Sequence, residues 1–130
     1  MIVVDASVAV DLLLRGPGAE MLSSRLLDSG EVLHAPHLLD VEVAQVIRRF
    51  ALRRTLGEAR GLEALRLLAV LPLIRHDHAQ LLPRIWALRA NITAYDAAYV
   101  ALAELLGATL LTRDRRLADA TGHRARVEVL

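Results

Sequence analysis

The chain has 130 residues, enough for one domain with a real core, and a formal net charge of +1, which gives no overall field to draw in nucleic acid. Hydrophobic residues make up 55% but aromatic residues only 3%, too few for a base-stacking platform, and no apolar run is long and clean enough for a membrane span. Cysteine is absent and all sixteen basic residues are arginine, which excludes disulfides, thiolate nucleophiles, Cys-based zinc sites, a lysine Schiff base and a P-loop lysine. The amino terminus has no basic start, and Asp5 and Asp11 interrupt its apolar part, so it does not read as a signal peptide. The expectation is a cytoplasmic protein with a single domain over residues 1–130 and no membrane association.

In chain order, Ile2–Val4 reads as a buried strand, short and β-branched. Ala6–Leu14 reads as a helix stopped by "RGPG" at 15–18, and Ala19–Asp28 as a second helix ending near Gly30. Glu31–His34 is a short strand, and "APH" at 35–37 turns the chain. Leu38–Arg54 is the clearest helix, with Leu39, Val43, Val46, Ile47 and Phe50 on one apolar stripe. Gly57–Leu71 is another, with Leu62, Leu65 and Leu68 inside, followed by a strand at Leu73–Arg75. Ala79–Arg89 is helical, with Pro83 early in it, and Trp86 is expected to pack at a helix face or subunit interface. "RHDHA" at 75–79 reads as a turn with exposed imidazoles rather than a metal site. Thr93–Leu106 is an apolar helix, Thr109–Thr112 a strand, Arg115–Ala120 a short helix and Val127–Val129 a last strand. Helices alternating with short strands predict right-handed crossovers and a parallel sheet covered on both faces.

In open α/β sheets, ligands sit beyond the carboxyl ends of the strands. Asp5 follows the first strand and Asp114 follows the strand at 109–112. Asp96 lies in the first turn of its helix, atop a face formed by Val100, Ala103 and Gly107 with Tyr99 close by, where the helix dipole favours an anion. On the 38–54 helix, Asp40 and Glu42 flank the stripe at about 80° on opposite sides, and geometry does not choose between them. Acids that converge without lysine partners repel one another. A bound cation is the usual remedy, and all-oxygen ligation favours Mg²⁺ or Mn²⁺, ions that polarise a phosphate and activate a water.

Four segments, "IVVDASVAV", "HLLDVEVAQVIRR", "TAYDAAYVALAE" and "LLTRDRRL", resemble in order the four motifs of the PIN-domain ribonucleases, and within them the VapC toxins of bacterial toxin–antitoxin pairs. The resemblance covers nearly the whole chain. It implies an α/β/α sandwich with a central parallel sheet of about five strands, and Mg²⁺- or Mn²⁺-dependent endoribonuclease activity. The family's acids fall on Asp5, Glu42, Asp96 and Asp114, which selects Glu42 over Asp40. Asp5, Asp96 and Asp114 then hold the ion and Glu42 completes the site. Ser7 and Thr112 hydrogen-bond the ligands or a ligand water. Arg113, Arg115 and Arg116 are first choices for RNA phosphate contact, and Arg48 and Arg49 second. A VapB-like antitoxin is implied as partner. The apolar helix ending near Gly107 must be buried on several sides, and a second copy in a homodimer would cover it.

Other readings fit less well. A receiver domain requires a lysine after its last strand, a haloacid-dehalogenase-type phosphatase an Asp at position 7, and a dinucleotide-binding domain a glycine-rich turn after the first strand. Two alternatives stay open: a PIN nuclease of RNA processing without an antitoxin, and an RNA-binding protein that keeps the acids without cutting.

Overall fold

The opening run Ile2–Val4 is β1, the central strand of a five-stranded parallel sheet in the computed structural model, which describes all 130 residues. The others are β2 (Leu33–Pro36), β3 (Leu73–His76), β4 (Thr109–Thr112) and β5 (Arg126–Val129), in the order β3-β2-β1-β4-β5. Ile2, Val3, Val4, Leu110 and Leu111 are sealed from solvent, whereas the edge strand β5 places Arg126 and Glu128 among its valines. A continuous apolar run suits a strand covered on both faces, and charges suit an edge.

Seven helices connect the strands: α1 (Ala6–Leu14), α2 (Ala19–Ser23), α3 (Leu38–Leu52), α4 (Glu58–Val70), α5 (Leu82–Ala87), α6 (Ala94–Leu106) and α7 (Arg115–Asp119). Helices α1, α3 and α4 pack on one another, and α6 lies against β1, β2 and β4 with α5 on its side. With right-handed crossovers, the connections from β1 to β3 cover one face and those from β3 to β5 the other. The expected α/β/α sandwich is therefore present. No helix is long and apolar enough to cross a membrane.

Several expectations need correction. The second helix gives way at Ser24 to a π-helical turn over Ser24–Asp28. Strand β2 starts two residues late and takes in Ala35 and Pro36, which were expected to turn. Glu31 stays outside the sheet, since the register that pairs Leu33 with Ile2 leaves it no partner on β1, and its carboxylate pairs with the Met1 ammonium at 2.7 Å and with Arg25 at 3.0 Å. Pro36 costs the ladder little, since the next N–H, of His37, donates to the His76 carbonyl at 2.8 Å. The helix expected over 79–89 is a 3₁₀ turn at Ala79–Leu81 followed by α5, with Pro83 in its first turn. On α4, Leu62 is 52% exposed, and the buried face is Gly61, Ala64 and Leu68. A Cβ on Gly61 would stand 3.1 Å from Ile47 Cγ2, so small residues let α4 approach α3 closely and turn Leu62 outward.

The histidines are not an exposed set. His34 in β2 is 6% exposed, and its Nδ1 lies 2.9 Å from Nε2 of His76 on β3. His78 Nε2 accepts the Leu38 N–H at 3.1 Å, which fixes the start of α3. Burial and the neighbouring His76 hold the His34 imidazole below its ordinary pKa. In α6 every residue from Ala97 to Ala103 is buried, covered by this chain's own sheet and α5. No second copy is needed to cover that helix.

Candidate active site

After β1 the chain crosses to β2 on one side, while β4 lies on the other. The carboxyl ends of β1 and β4 thus flank the point where strand order reverses, the position at which an open parallel sheet leaves a crevice. Asp5 is the residue after β1, and its N–H donates to the Leu111 carbonyl at 3.0 Å, which locks it to β4. Asp114 stands two residues past β4, at the N-cap of α7. Asp96 sits in the first turn of α6 beside the Thr93 cap, whose hydroxyl accepts the Asp96 N–H at 3.2 Å. Glu42 lies one turn into α3, directly after β2. All four elements therefore begin at the same edge of the sheet.

Two hydroxyls fix the first acid. Ser7 Oγ donates to Asp5 Oδ2 at 2.9 Å, and Thr112 Oγ1 donates to the same oxygen at 2.6 Å. Each hydroxyl also accepts a backbone N–H, Ser7 from Arg113 at 3.1 Å and Thr112 from Asp114 at 3.0 Å. The clamp thus spans β1, α1 and the turn after β4, and leaves Oδ1 of Asp5 without a protein donor. Thr112 is fully buried, so its pairing is obligatory as well as local. Thr112→Val removes one donor to Asp5 and strands the Asp114 N–H. It should lower stability by about 1–3 kcal/mol and any metal-dependent activity of the site roughly tenfold or more, with Thr112→Ser restoring both. Melting curves and initial rates of the two variants check this, and a valine variant as active as wild type would remove Thr112 from the site.

The remaining acids share one electrostatic environment. Burial raises the Glu42 carboxyl above its ordinary pKa, the Tyr99 hydrogen bond opposes this, and the charges of Asp5 and Asp96 add to the rise. Asp96 is likewise raised, by burial first and then by Asp5 and Asp114. Asp114 behaves oppositely, because the Arg116 guanidinium grips both its oxygens at 3.1 Å and holds it low. Tyr99 Oη donates to Glu42 Oε1 at 2.8 Å, and burial beside Glu42 drives the phenol far above its ordinary value, so it remains a donor. The sequence places this tyrosine near Asp96 without giving it a role, and the fold joins it to Glu42. The usable signal was a phenol three residues after Asp96 on a face that packs inward, where a buried hydroxyl must find a partner.

Asp40, the alternative to Glu42, is taken by Arg75 of β3, whose Nε lies 2.8 and 3.0 Å from its two oxygens. Among the arginines, Arg113 pairs with Asp11 at 2.6 Å and Arg116 with Asp114. Arg115 is exposed at the start of α7 without an acidic partner, as are Arg48 and Arg49 along α3. Of these five candidates, Arg48, Arg49 and Arg115 are free to meet a phosphate, whereas Arg113 and Arg116 must first leave surface ion pairs that hold weakly.

The donor set suits a hard divalent cation in its chemistry. Asp5, Glu42 and Asp96 are oxygen donors that repel one another, and the Arg116 charge that reaches Asp96 only partly offsets this, because burial and Asp5 still raise that carboxyl. They are not drawn together as they stand, since no three His, Cys, Asp or Glu side chains take up cation-holding geometry. Mutual repulsion favours that open arrangement, and a cation would reverse it.

The family model of the PIN domain matches residues 2–122. Ribonuclease VapC9 of Mycobacterium tuberculosis is 49% identical over 119 residues, 92% of this chain and 90% of that protein. Ribonuclease VapC12 of the same species is 42% identical over 130 residues, 100% of this chain and 99% of that protein. Among solved structures, VapBC2 from Rickettsia felis, bound to a DNA fragment from their promoter, superposes with a TM-score of 0.74 at 15% identity. The match covers 99% of this chain and 98% of that one.

Proposed function

From the premise that this chain belongs to the PIN-domain family and to its VapC ribonucleases, we propose that it is an endoribonuclease that hydrolyses phosphodiester bonds with Mg²⁺ or Mn²⁺. In this reading Asp5, Asp96 and Asp114 hold the cation, and Glu42 serves the attacking water. The observation that carries it is the mutual repulsion of Asp5, Glu42 and Asp96 at one sheet edge, which keeps the Glu42 and Asp96 carboxyls raised, with Asp5 fixed by two hydroxyls.

The chain's own residues divide the work. Ser7 and Thr112 keep the Asp5 carboxylate in one orientation through a single oxygen, which leaves Oδ1 to turn toward the cleft. Tyr99 engages Oε1 of Glu42 and leaves Oε2 free to accept a proton from water. The raised pKa of Glu42 makes it a better base than an exposed carboxylate. Asp114 joins the ligand set by releasing Arg116, whose guanidinium then becomes available to a phosphate oxygen. When bound, the cation supplies charge stabilisation at the scissile phosphate and eases deprotonation of water.

The chain is the toxin half of a toxin–antitoxin pair in this reading, acts in the cytoplasm, and has a VapB-like antitoxin as its protein partner, in keeping with the VapC relatives. The homodimer rests on the family resemblance, since α6 is covered by its own chain. The direct test is cleavage of single-stranded RNA by the purified protein. Cutting is expected with Mg²⁺, with full loss in EDTA and recovery when Mg²⁺ is restored. Binding without cutting under every condition would select the non-cleaving alternative.

A further inference from the structure

Trp86 is the chain's one tryptophan, and it lies 69% exposed on α5. The fold gives it no packing role. Its neighbours Ile85 and Leu88 supply the contacts of this segment with the core, and Leu88 is only 1% exposed. The indole is instead covered by a cation. Arg89 places its guanidinium carbon 4.5 Å from the ring centroid, and its Nη1 donates to the Trp86 carbonyl at 3.0 Å. No carboxylate pairs with Arg89. That arginine also lines an open cleft of about 720 Å³ whose wall includes Asp96, Asp114 and Arg116. The segment is anchored beside it, for Asn91 Nδ2 donates to Thr121 Oγ1 at 3.2 Å, and a Cβ on Gly122 would meet Asn91 at 2.8 Å.

An exposed indole offers a flat apolar face, and an unpaired arginine beside it offers a charge. Together they match a nucleotide with its base out of a stack: the base lies on the ring and the adjacent phosphate meets the guanidinium. We propose that Trp86 and Arg89 bind an unpaired nucleotide of the RNA that runs through the acidic cleft. This rests on the ribonuclease reading above. The helix-face packing expected for Trp86 is absent, since the indole is 69% exposed, and a subunit interface is one of the outcomes tested below.

The single tryptophan supplies its own reporter. Titration of wild type, in EDTA, with a single-stranded 12-nucleotide RNA should quench Trp86 emission, and the same strand in a duplex should leave it unchanged. In Mg²⁺, Trp86→Ala should raise KM for the single strand about tenfold with kcat little altered, and Trp86→Phe should recover most of the loss. Equal quenching by strand and duplex, or an unchanged KM in Trp86→Ala, overturns the inference. So does light scattering that shows Trp86→Ala converting a dimer to a monomer. If wild type cuts no RNA in Mg²⁺, the ribonuclease reading fails by itself, and strand-selective quenching in EDTA still decides whether the indole takes a base.

Discussion

Asp5→Asn lowers the rate of RNA cleavage in Mg²⁺ by on the order of 100- to 1,000-fold, while thermal unfolding in EDTA stays close to that of wild type. The asparagine oxygen can still accept from Ser7 and Thr112, so the clamp between β1 and the turn after β4 survives the change. What goes is the negative charge, and with it the main electrostatic hold on a cation at the end of the central strand. Initial rates on a defined single strand, with melting curves on the same preparations, separate the two effects. A variant that cuts as fast as wild type would remove Asp5 from the machinery.

Glu42→Gln is expected to do two opposite things: abolish most of the cleavage and stabilise the metal-free protein. Burial and the nearby charges of Asp5 and Asp96 raise the Glu42 carboxyl, so the folded state binds its proton more tightly than the unfolded chain does. The stability that Glu42 contributes is therefore present in acid and is lost as pH rises through the raised folded value. Glutamine stands in for the protonated form at every pH and keeps an oxygen for Tyr99. Its advantage in EDTA should reach up to about 1 kcal/mol at pH 7, after solvent screening, and shrink on acidification to about pH 4. Mg²⁺ should raise the melting temperature of wild type more than that of the variant. Asp96→Asn moves the same way, since Asp96 is raised by the same causes. A Glu42→Gln protein that melts below wild type in EDTA at pH 7 would mean that the charge is compensated after all.

The layout of the fold was legible because its central strand and its helices follow local rules. Ile2–Val4 is too short and too β-branched to be anything but a buried strand, and Gly107, with a φ of +62°, ends α6 where the apolar period stops. Boundaries moved where a distant partner decides. Glu31 lies outside β2 and pairs with the amino-terminal ammonium, a contact that no periodicity reveals. Leu62 was misplaced because a large apolar residue draws attention, whereas close helix packing is made by Gly61 and Ala64.

At the site the acids were visible as residue types, but their pairings were not. Asp40 and Glu42 are equivalent on a helical wheel, and only β3 breaks the tie by holding Arg75 against Asp40. The motif resemblance chose Glu42, and its hydrogen bond with Tyr99 and its electrostatic link to Asp5 and Asp96 are consistent with that choice. Arg113 and Arg116 looked free in sequence and are in fact paired, because Asp11 and Asp114 come within reach only in the fold or across a tight cap.

The central position of β1 also sets an order in time. Asp5 leaves the ribosome well before its neighbour in the sheet, β4, and its hydroxyl partner Thr112, which are made more than a hundred residues later. Until then a growing chain carries the first acid with no strand on one side of it and no fourth acid opposite. Pairings this distant in sequence form late and together. A nuclease built so is not assembled on a chain that stops short of β4, and the cell's own RNA, the message being read included, is not at risk until that strand has been made.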